Sequence, residues 1–226
     1  MKLGLITYDY AHLKTEQLVW RYLENKLIEE IKLFALPFSP RKERNVIFEH
    51  RPNQFLATQT ENLSRLDKVS FQKWDGKEIL EDQCDLFIIG GAGILDVSFA
   101  KGKPIVNAHP GIIPLSRGLD SFKWAILKND PVGNTIHLID SEVDKGELIC
   151  IKETPIFPDD SIQTLARRHY DLEIDMLSNI LDFLHLKVSP DKEEKPATRR
   201  MNREDEKIML DNFESWKKRM NSEKSI

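Results

Sequence analysis

The stretch Asp85-Leu86-Phe87-Ile88-Ile89, closing in Gly90-Gly91-Ala92-Gly93, decides the fold. Four successive apolar side chains with no polar alternation describe a strand covered on both faces, and that cover comes from helices packed above and below a sheet. Pro104-Ile105-Val106-Asn107 reads as a second such strand and Lys2 to Thr7 as a third. Thr15 can cap a helix whose Val19, Leu23 and Leu27 recur at four-residue steps. Asp120 to Lys128 suits another helix, and Asn134–Asp140 and Gly146–Glu153 read as two further strands. Asp160 then caps the longest pattern: Ile162, Leu165, His169, Leu172, Met176, Ile180 and Leu184 hold helical spacing for more than six turns. Strands alternating with helices predict an α/β chain with a mostly parallel, doubly wound sheet and helices on both faces. From Phe34 to Gln72, Pro37, Pro40 and Pro52 interrupt the pattern and no firm element is assigned.

After Leu186 the composition shifts. Residues 187–226 carry 11 basic and 9 acidic side chains, yet Met209, Phe213, Trp216 and Met220 fall at i, i+4, i+7 and i+11. The expected division is a catalytic domain over 1–186 and a charged tail with an amphipathic helix over 187–226. The apolar stripe of that helix should bury against the main domain or against a second subunit, and an exposed stripe would favour a homodimer.

The whole chain has 226 residues, and 33 Lys and Arg against 37 Asp and Glu leave a net charge of −4. Mild acidity argues against a nucleic-acid partner, which needs a basic surface to neutralise phosphates. No apolar run approaches the ~18 residues of a membrane span, so no membrane partner is expected. The opening Met1-Lys2-Leu3-Gly4-Leu5-Ile6 turns polar by Tyr8-Asp9, too soon for a secretory signal. Two cysteines, Cys84 and Cys150, can neither staple a domain of this size nor form a four-thiolate metal site. The composition is that expected of a cytoplasmic protein.

Gly90-Gly91-Ala92-Gly93 does not satisfy Gly-x-Gly-x-x-Gly, and the chain holds no Gly-x-x-x-x-Gly-Lys, Gly-x-Ser-x-Gly or His-Glu-x-x-His. What remains is a polar cluster after the predicted strands. Asn107 and His109 are two residues apart, so an extended backbone points both the same way. Pro110-Gly111 then turns the chain. Asp144 closes a carboxylate-rich segment just before Gly146. Singly, each has a plain structural explanation: a strand-end histidine in a hydrogen bond, an asparagine or aspartate in a turn. An amide, an imidazole and a carboxylate converging together suit acyl transfer instead.

At these residues the chain resembles the folate-dependent formyltransferase family. Asn107-x-His109-Pro110-Gly111, Ile112-Ile113-Pro114, Arg117-Gly118, Trp124-Ala125-Ile126, Gly133-x-Thr135-x-His137 and Asp144-x-Gly146 carry the likeness, which runs from about Asp85 to Leu184. The segment from His109 to Trp124 looks most like the branch that formylates nucleotide-linked amino sugars. Three departures point the same way. The loop after the first strand, Tyr8 to Lys14, is not the Gly/Ser-rich phosphate loop of glycinamide ribonucleotide transformylases. Only forty residues follow Leu186, against a C-terminal RNA-contacting domain in methionyl-tRNA formyltransferases. Formyltetrahydrofolate hydrolases carry an N-terminal regulatory domain with no counterpart here.

The resemblance implies a formyl group moving from N10-formyltetrahydrofolate to the amine of a nucleotide-linked (dTDP) amino-dideoxy sugar, with Asn107, His109 and Asp144 as the catalytic set and no metal. Asn107 would donate to the developing oxyanion, an interaction worth roughly 3 kcal/mol in comparable sites. His109 would donate to the same oxygen, and Asp144 would hold His109 and receive the proton the amine sheds. The folate would lie between Ala92, Gly93, Ile94 and Leu95 on one side and Ile139, Asp140, Glu142 and Val143 on the other. Tyr8, Tyr10, His12, Lys14 and Arg117 are the candidate contacts for the sugar nucleotide, Lys14 through a diphosphate and an aromatic through the base. A formyltransferase for another small amine, and a non-catalytic folate- or nucleotide-binding module, stay open beside this reading.

Overall fold

The computed structural model describes residues 1–38, 46–80, 82–93, 95–139, 146–189 and 194–223. Strand β1 (Lys2–Tyr8) leads to helix α1 (Leu13–Glu24), then β2 (Glu30–Leu36), β3 (Val69–Lys73), β4 (Leu86–Ile89) and β5 (Ile105–His109). Helix α2 (Ser121–Leu127), strands β6 (Gly133–Leu138) and β7 (Leu148–Glu153), and helices α3 (Ile162–Ser178), α4 (Ile180–Phe183) and α5 (Arg203–Glu223) follow. Seven strands form one sheet in the order β3-β2-β1-β4-β5-β6-β7. The pairs from β3 through β5 are parallel, whereas β5–β6 and β6–β7 are antiparallel. The α/β fold with a mostly parallel sheet is as expected. Strand order reverses between β1 and β4, the position where open α/β sheets leave a crevice for ligands.

Strand β4 is buried at all four positions, and period-two alternation divides its side chains between two cores. Leu86 and Ile88 join Leu3, Leu5, Leu33, Val106 and Ile136 against α1 and α3 through Leu18, Val19, Tyr170 and Ile174. Phe87 and Ile89 face the other way, with Ile6, Phe34, Trp74, Phe99 and Ile105. On β5, Val106 and Ala108 belong to the first core and Ile105 to the second. The same alternation puts Asn107 and His109 on the face of Ile105, away from α1 and α3.

The charged tail contributes a third core. Met209, Phe213, Trp216 and Met220 of α5 are all buried with Phe122, Ala125 and Ile126 of α2 and Ile162, Leu165 and Ala166 of α3. The stripe is consumed within its own chain, so the ground it offered for a second copy is gone. The indole N–H of Trp216 donates to the Asp130 carbonyl at 3.0 Å. Lys123 of α2 and Glu206 of α5 form a buried ion pair, and Glu206 also accepts from the Ile47 amide at 2.7 Å.

Four local readings change. Strands β2 and β3 fall partly inside the span left unassigned, and β2 is paired on both sides. Thr15 does not cap α1; it lies inside the helix with its hydroxyl turned inward, 2.5 Å from Thr7 Oγ1 and 2.8 Å from His12 Nδ1. Ser161, not Asp160, caps α3 by accepting from the Thr164 amide, while Asp160 is held by Arg168. The long helical pattern is also broken at Asn179 into α3 and α4.

Candidate active site

The β5–β6 ladder pairs Asn107 with His137 and His109 with Thr135. Paired residues share a face and side chains alternate along each strand, so all four stand on one face of the sheet. Asn107 Nδ2 lies 3.1 Å from His137 Nε2, and His137 Nδ1 lies 3.2 Å from the Leu138 carbonyl. A carbonyl only accepts, so it draws the ring proton to Nδ1 and leaves Nε2 as the acceptor for the Asn107 amide. The tautomer of His137 thereby fixes which way the half-buried Asn107 carboxamide points. His137 closes the Gly133-x-Thr135-x-His137 motif and lies outside the expected catalytic set. The signal available was its place two residues beyond Thr135, opposite Asn107 in an antiparallel pair.

His109 is buried and engages the loop that follows it. Its Nε2 donates to the Ser116 carbonyl at 2.7 Å and lies 3.1 Å from Ser121 Oγ. Thr135 Oγ1 stitches the same loop to the sheet, donating to the Gly111 carbonyl at 2.8 Å and accepting from the Ile113 amide at 3.0 Å. A Cβ at Gly111 would stand 2.4 Å from the Ser116 oxygen and 2.8 Å from His109 Nε2, so only glycine lets ring and carbonyl meet. Residues beyond the sheet close over this loop: Thr198 donates its amide to the Arg117 carbonyl and accepts from the Leu119 amide, and Trp124 Nε1 donates to the Arg199 carbonyl. Asp144, the third expected catalytic residue, lies outside the described residues.

Of the residues expected around the folate, Ala92, Leu95 and Ile139 pack against the same core cluster, beside Ile105, Phe87 and Phe99. They supply an apolar floor, and a Cβ built at Gly93 would meet nothing within 4 Å. Ile94, Asp140, Glu142 and Val143 lie outside the described residues. Among the described residues no group of His, Cys, Asp and Glu is arranged to hold a metal ion.

The loop after β1 departs from expectation at two positions. Lys14 is turned inward, 2.8 Å from Glu173 of α3, and is buried with it, so it braces α1 on α3 instead of reaching toward a diphosphate. Arg51 also contacts Glu173. Burial alone would push the Glu173 carboxyl up, but the Arg51 and Lys14 cations outweigh it and hold it at about 2. His12 is likewise buried, and desolvation together with the nearby Lys14 and Arg51 charges lowers its pKa to about 3, leaving a neutral ring that serves the fold. Tyr8 meets His12 edge-on, and both rings lie against Gly91 at the end of β4, where a Cβ would come within 2.6 Å of Tyr8. Tyr10 remains 44% exposed. Arg117 is buried and ion-paired with Glu194.

Residues 78–181 match the family model described as formyl transferase. A methionyl-tRNA formyltransferase from Sulfurimonas denitrificans is 26% identical over 183 residues, which cover 78% of this chain and 59% of that protein. The chain thus spans less than two thirds of that relative's length. Among solved structures, a 4-N formyltransferase from Francisella tularensis superimposes with a TM-score of 0.62 at 15% identity, covering 92% of this chain and 86% of that one. A sugar N-formyltransferase from Shewanella sp. FDAARGOS_354 gives a TM-score of 0.58 at 18% identity, with 94% and 87% covered. The fold is therefore that of the formyltransferases, and the span that matches their family model, residues 78–181, runs from before β4 into α4.

Proposed function

We propose that the protein moves a formyl group from N10-formyltetrahydrofolate to the amine of a nucleotide-linked amino sugar, with a dTDP-linked amino-dideoxyhexose as the first acceptor to test. The observation that carries this is the Asn107 carboxamide, held by His137 on the face of β5 inside the span that matches the family model. The bound folate would supply an activated formyl group on a nitrogen that can leave. An unprotonated amine attacks the formyl carbon, and negative charge develops on the formyl oxygen. Asn107 keeps a second N–H besides the one directed at His137, and that donor meets the charge where it forms. His109 braces the loop that walls this place, and Asp144, by the family resemblance, takes the proton released as the new C–N bond forms.

The sugar acceptor is supported by the likeness of His109–Trp124 to the sugar branch and by the name of the Shewanella protein, a sugar N-formyltransferase. Methionyl-tRNA is the acceptor named for the Sulfurimonas relative; against it stands the excess of acidic over basic residues, since an RNA surface calls for the opposite. Mass spectrometry of the protein incubated with N10-formyltetrahydrofolate and, in separate reactions, a panel of dTDP-, UDP- and GDP-linked amino sugars and methionyl-tRNA decides between them. One formyl group gained by a panel member is expected. Formylation of methionyl-tRNA with none of the sugars touched would overturn the reading.

A further inference from the structure

A group of aromatic side chains stands at the carboxyl ends of β1 and β2, outside the catalytic set. Tyr10 and Phe38 are stacked, with centroids 5.5 Å apart and ring planes 22° from parallel. Phe55 meets both, at 5.9 Å from Tyr10 and 5.0 Å from Phe38. Tyr8 joins from below, edge-on to Phe38 at 5.1 Å. The group is fixed in place by the backbone: the Phe38 amide donates to Asp9 Oδ1 at 2.8 Å, the Tyr10 carbonyl accepts from Thr60 Oγ1, and the Leu13 amide donates to the Gln54 carbonyl at 2.7 Å. Yet Tyr10 is 44% exposed and Phe55 47%. These are rigidly held rings whose outer faces meet solvent.

We infer that Tyr10, Phe38 and Phe55 form the platform on which the nucleobase of the acceptor stacks, an assignment that rests on the sugar-nucleotide reading above. Size argues for a base over a protein partner. Two rings about half exposed offer on the order of 200 Å², against ~800 Å² per partner in a stable protein interface. Position argues for it as well. The platform adjoins the reversal of strand order, and Tyr8 connects it to Gly91 at the tip of β4, beside the segment that begins the folate loop. A base resting here leaves the rest of its nucleotide to extend along the crevice toward β5. Stacking on rings tolerates any base, so the platform sets affinity for a nucleotide handle and leaves the choice of base to polar neighbours.

The test is binding of UDP and dTDP by calorimetry, with inorganic pyrophosphate as the base-free control and tetrahydrofolate measured in parallel. Tyr10→Ala and Phe55→Ala should each weaken both nucleotides about tenfold, as loss of one base–ring stack does. Pyrophosphate and tetrahydrofolate should bind as before, and Tyr10→Phe, which keeps the ring, should bind nucleotides like wild type. Melting curves taken alongside separate a binding defect from a folding defect, because both residues are half exposed. Nucleotide binding untouched by either substitution overturns the platform and leaves the acceptor reading intact. Weakened tetrahydrofolate binding would instead assign the rings to the folate and also overturn it. Absence of any nucleotide binding overturns it too, while the acceptor itself is judged by the formylated product.

Discussion

Asn107 and His137 face one another across the β5–β6 ladder, their side chains 3.1 Å apart, and the Leu138 carbonyl decides which of the two donates. A carboxamide free to rotate would offer its oxygen to the developing negative charge half the time. In the reaction proposed above, the histidine would remove that ambiguity before substrate arrives. Asn107→Ala is accordingly expected to lower kcat by about 10²–10³, the loss seen when one oxyanion donor is removed. His137→Leu should cost less, because the amide stays but loses its aim. Steady-state formyl transfer measures both, and near-wild-type turnover in Asn107→Ala removes the residue from the chemistry.

Gly111→Ala should be out of proportion to its size. Its methyl group would enter the 2.7 Å contact between His109 and the Ser116 carbonyl, where no flexible side-chain end can yield to it. Turnover should fall at least tenfold with the far-ultraviolet spectrum unchanged. Activity equal to wild type would mean that the histidine's hold on the loop is irrelevant.

Glu173 carries two cations in a buried place, so removing its charge alone strands both. Glu173→Gln is expected to destabilise by about 3–5 kcal/mol. Adding Lys14→Met should recover part of that loss, since one stranded charge then disappears. Urea denaturation of the two variants gives the comparison, and a double variant no better than the single would contradict it.

Acid should weaken the protein in two stages. The His12 ring titrates at about 3 and His169 at about 4, both pushed down chiefly by burial, while the unfolded chain takes up those protons near 6.5. Between these values the unfolded state binds more protons, so stability falls as pH drops below about 6.5. Below about 4.5 Glu173, held at about 2, adds to the same slope. Urea midpoints measured from pH 7 to 3 should fall throughout, and more gently in His169→Gln over the upper half of that range.

Trp216→Ala should cost about 3–5 kcal/mol, the penalty for emptying a large buried site. The indole is 1% exposed and its N–H is bonded to Asp130. A melting temperature within a degree or two of wild type would mean that α5 is an ornament on the domain.

Strand β4 was legible because an unbroken apolar run has one physical meaning, burial on both faces, and Ile105-Val106 opens β5 in the same way. Strand β2 was not, because Glu30 and Lys32 interrupt its first half and pair across the sheet surface, hiding a strand whose Leu33, Phe34 and Ala35 are buried. Asn107 and His109 could be found by their two-residue spacing. The inward turn of His12 and Lys14 could not, since their partners Thr15 and Glu173 come from a helix interior and from a residue 159 positions away. A polar side chain after a strand looks the same in sequence whether it greets solvent or a buried carboxylate. The tail's apolar row was plain, but only packing could say that α2 and α3 cover it.

The strap from Glu194 to Met201 lies far from Asn107 in sequence, yet Thr198 knots into the backbone at Arg117 and Leu119, on the loop His109 supports. Gly118, at φ +87°, admits that knot because a Cβ would stand 2.3 Å from the Thr198 oxygen. Remoteness along the chain is then a poor measure of remoteness from the reaction. If the proposed reaction takes place at β5, substitutions in this late segment reach it through the backbone of the 117–119 loop, and a screen confined to the neighbourhood of the conspicuous histidine would miss them.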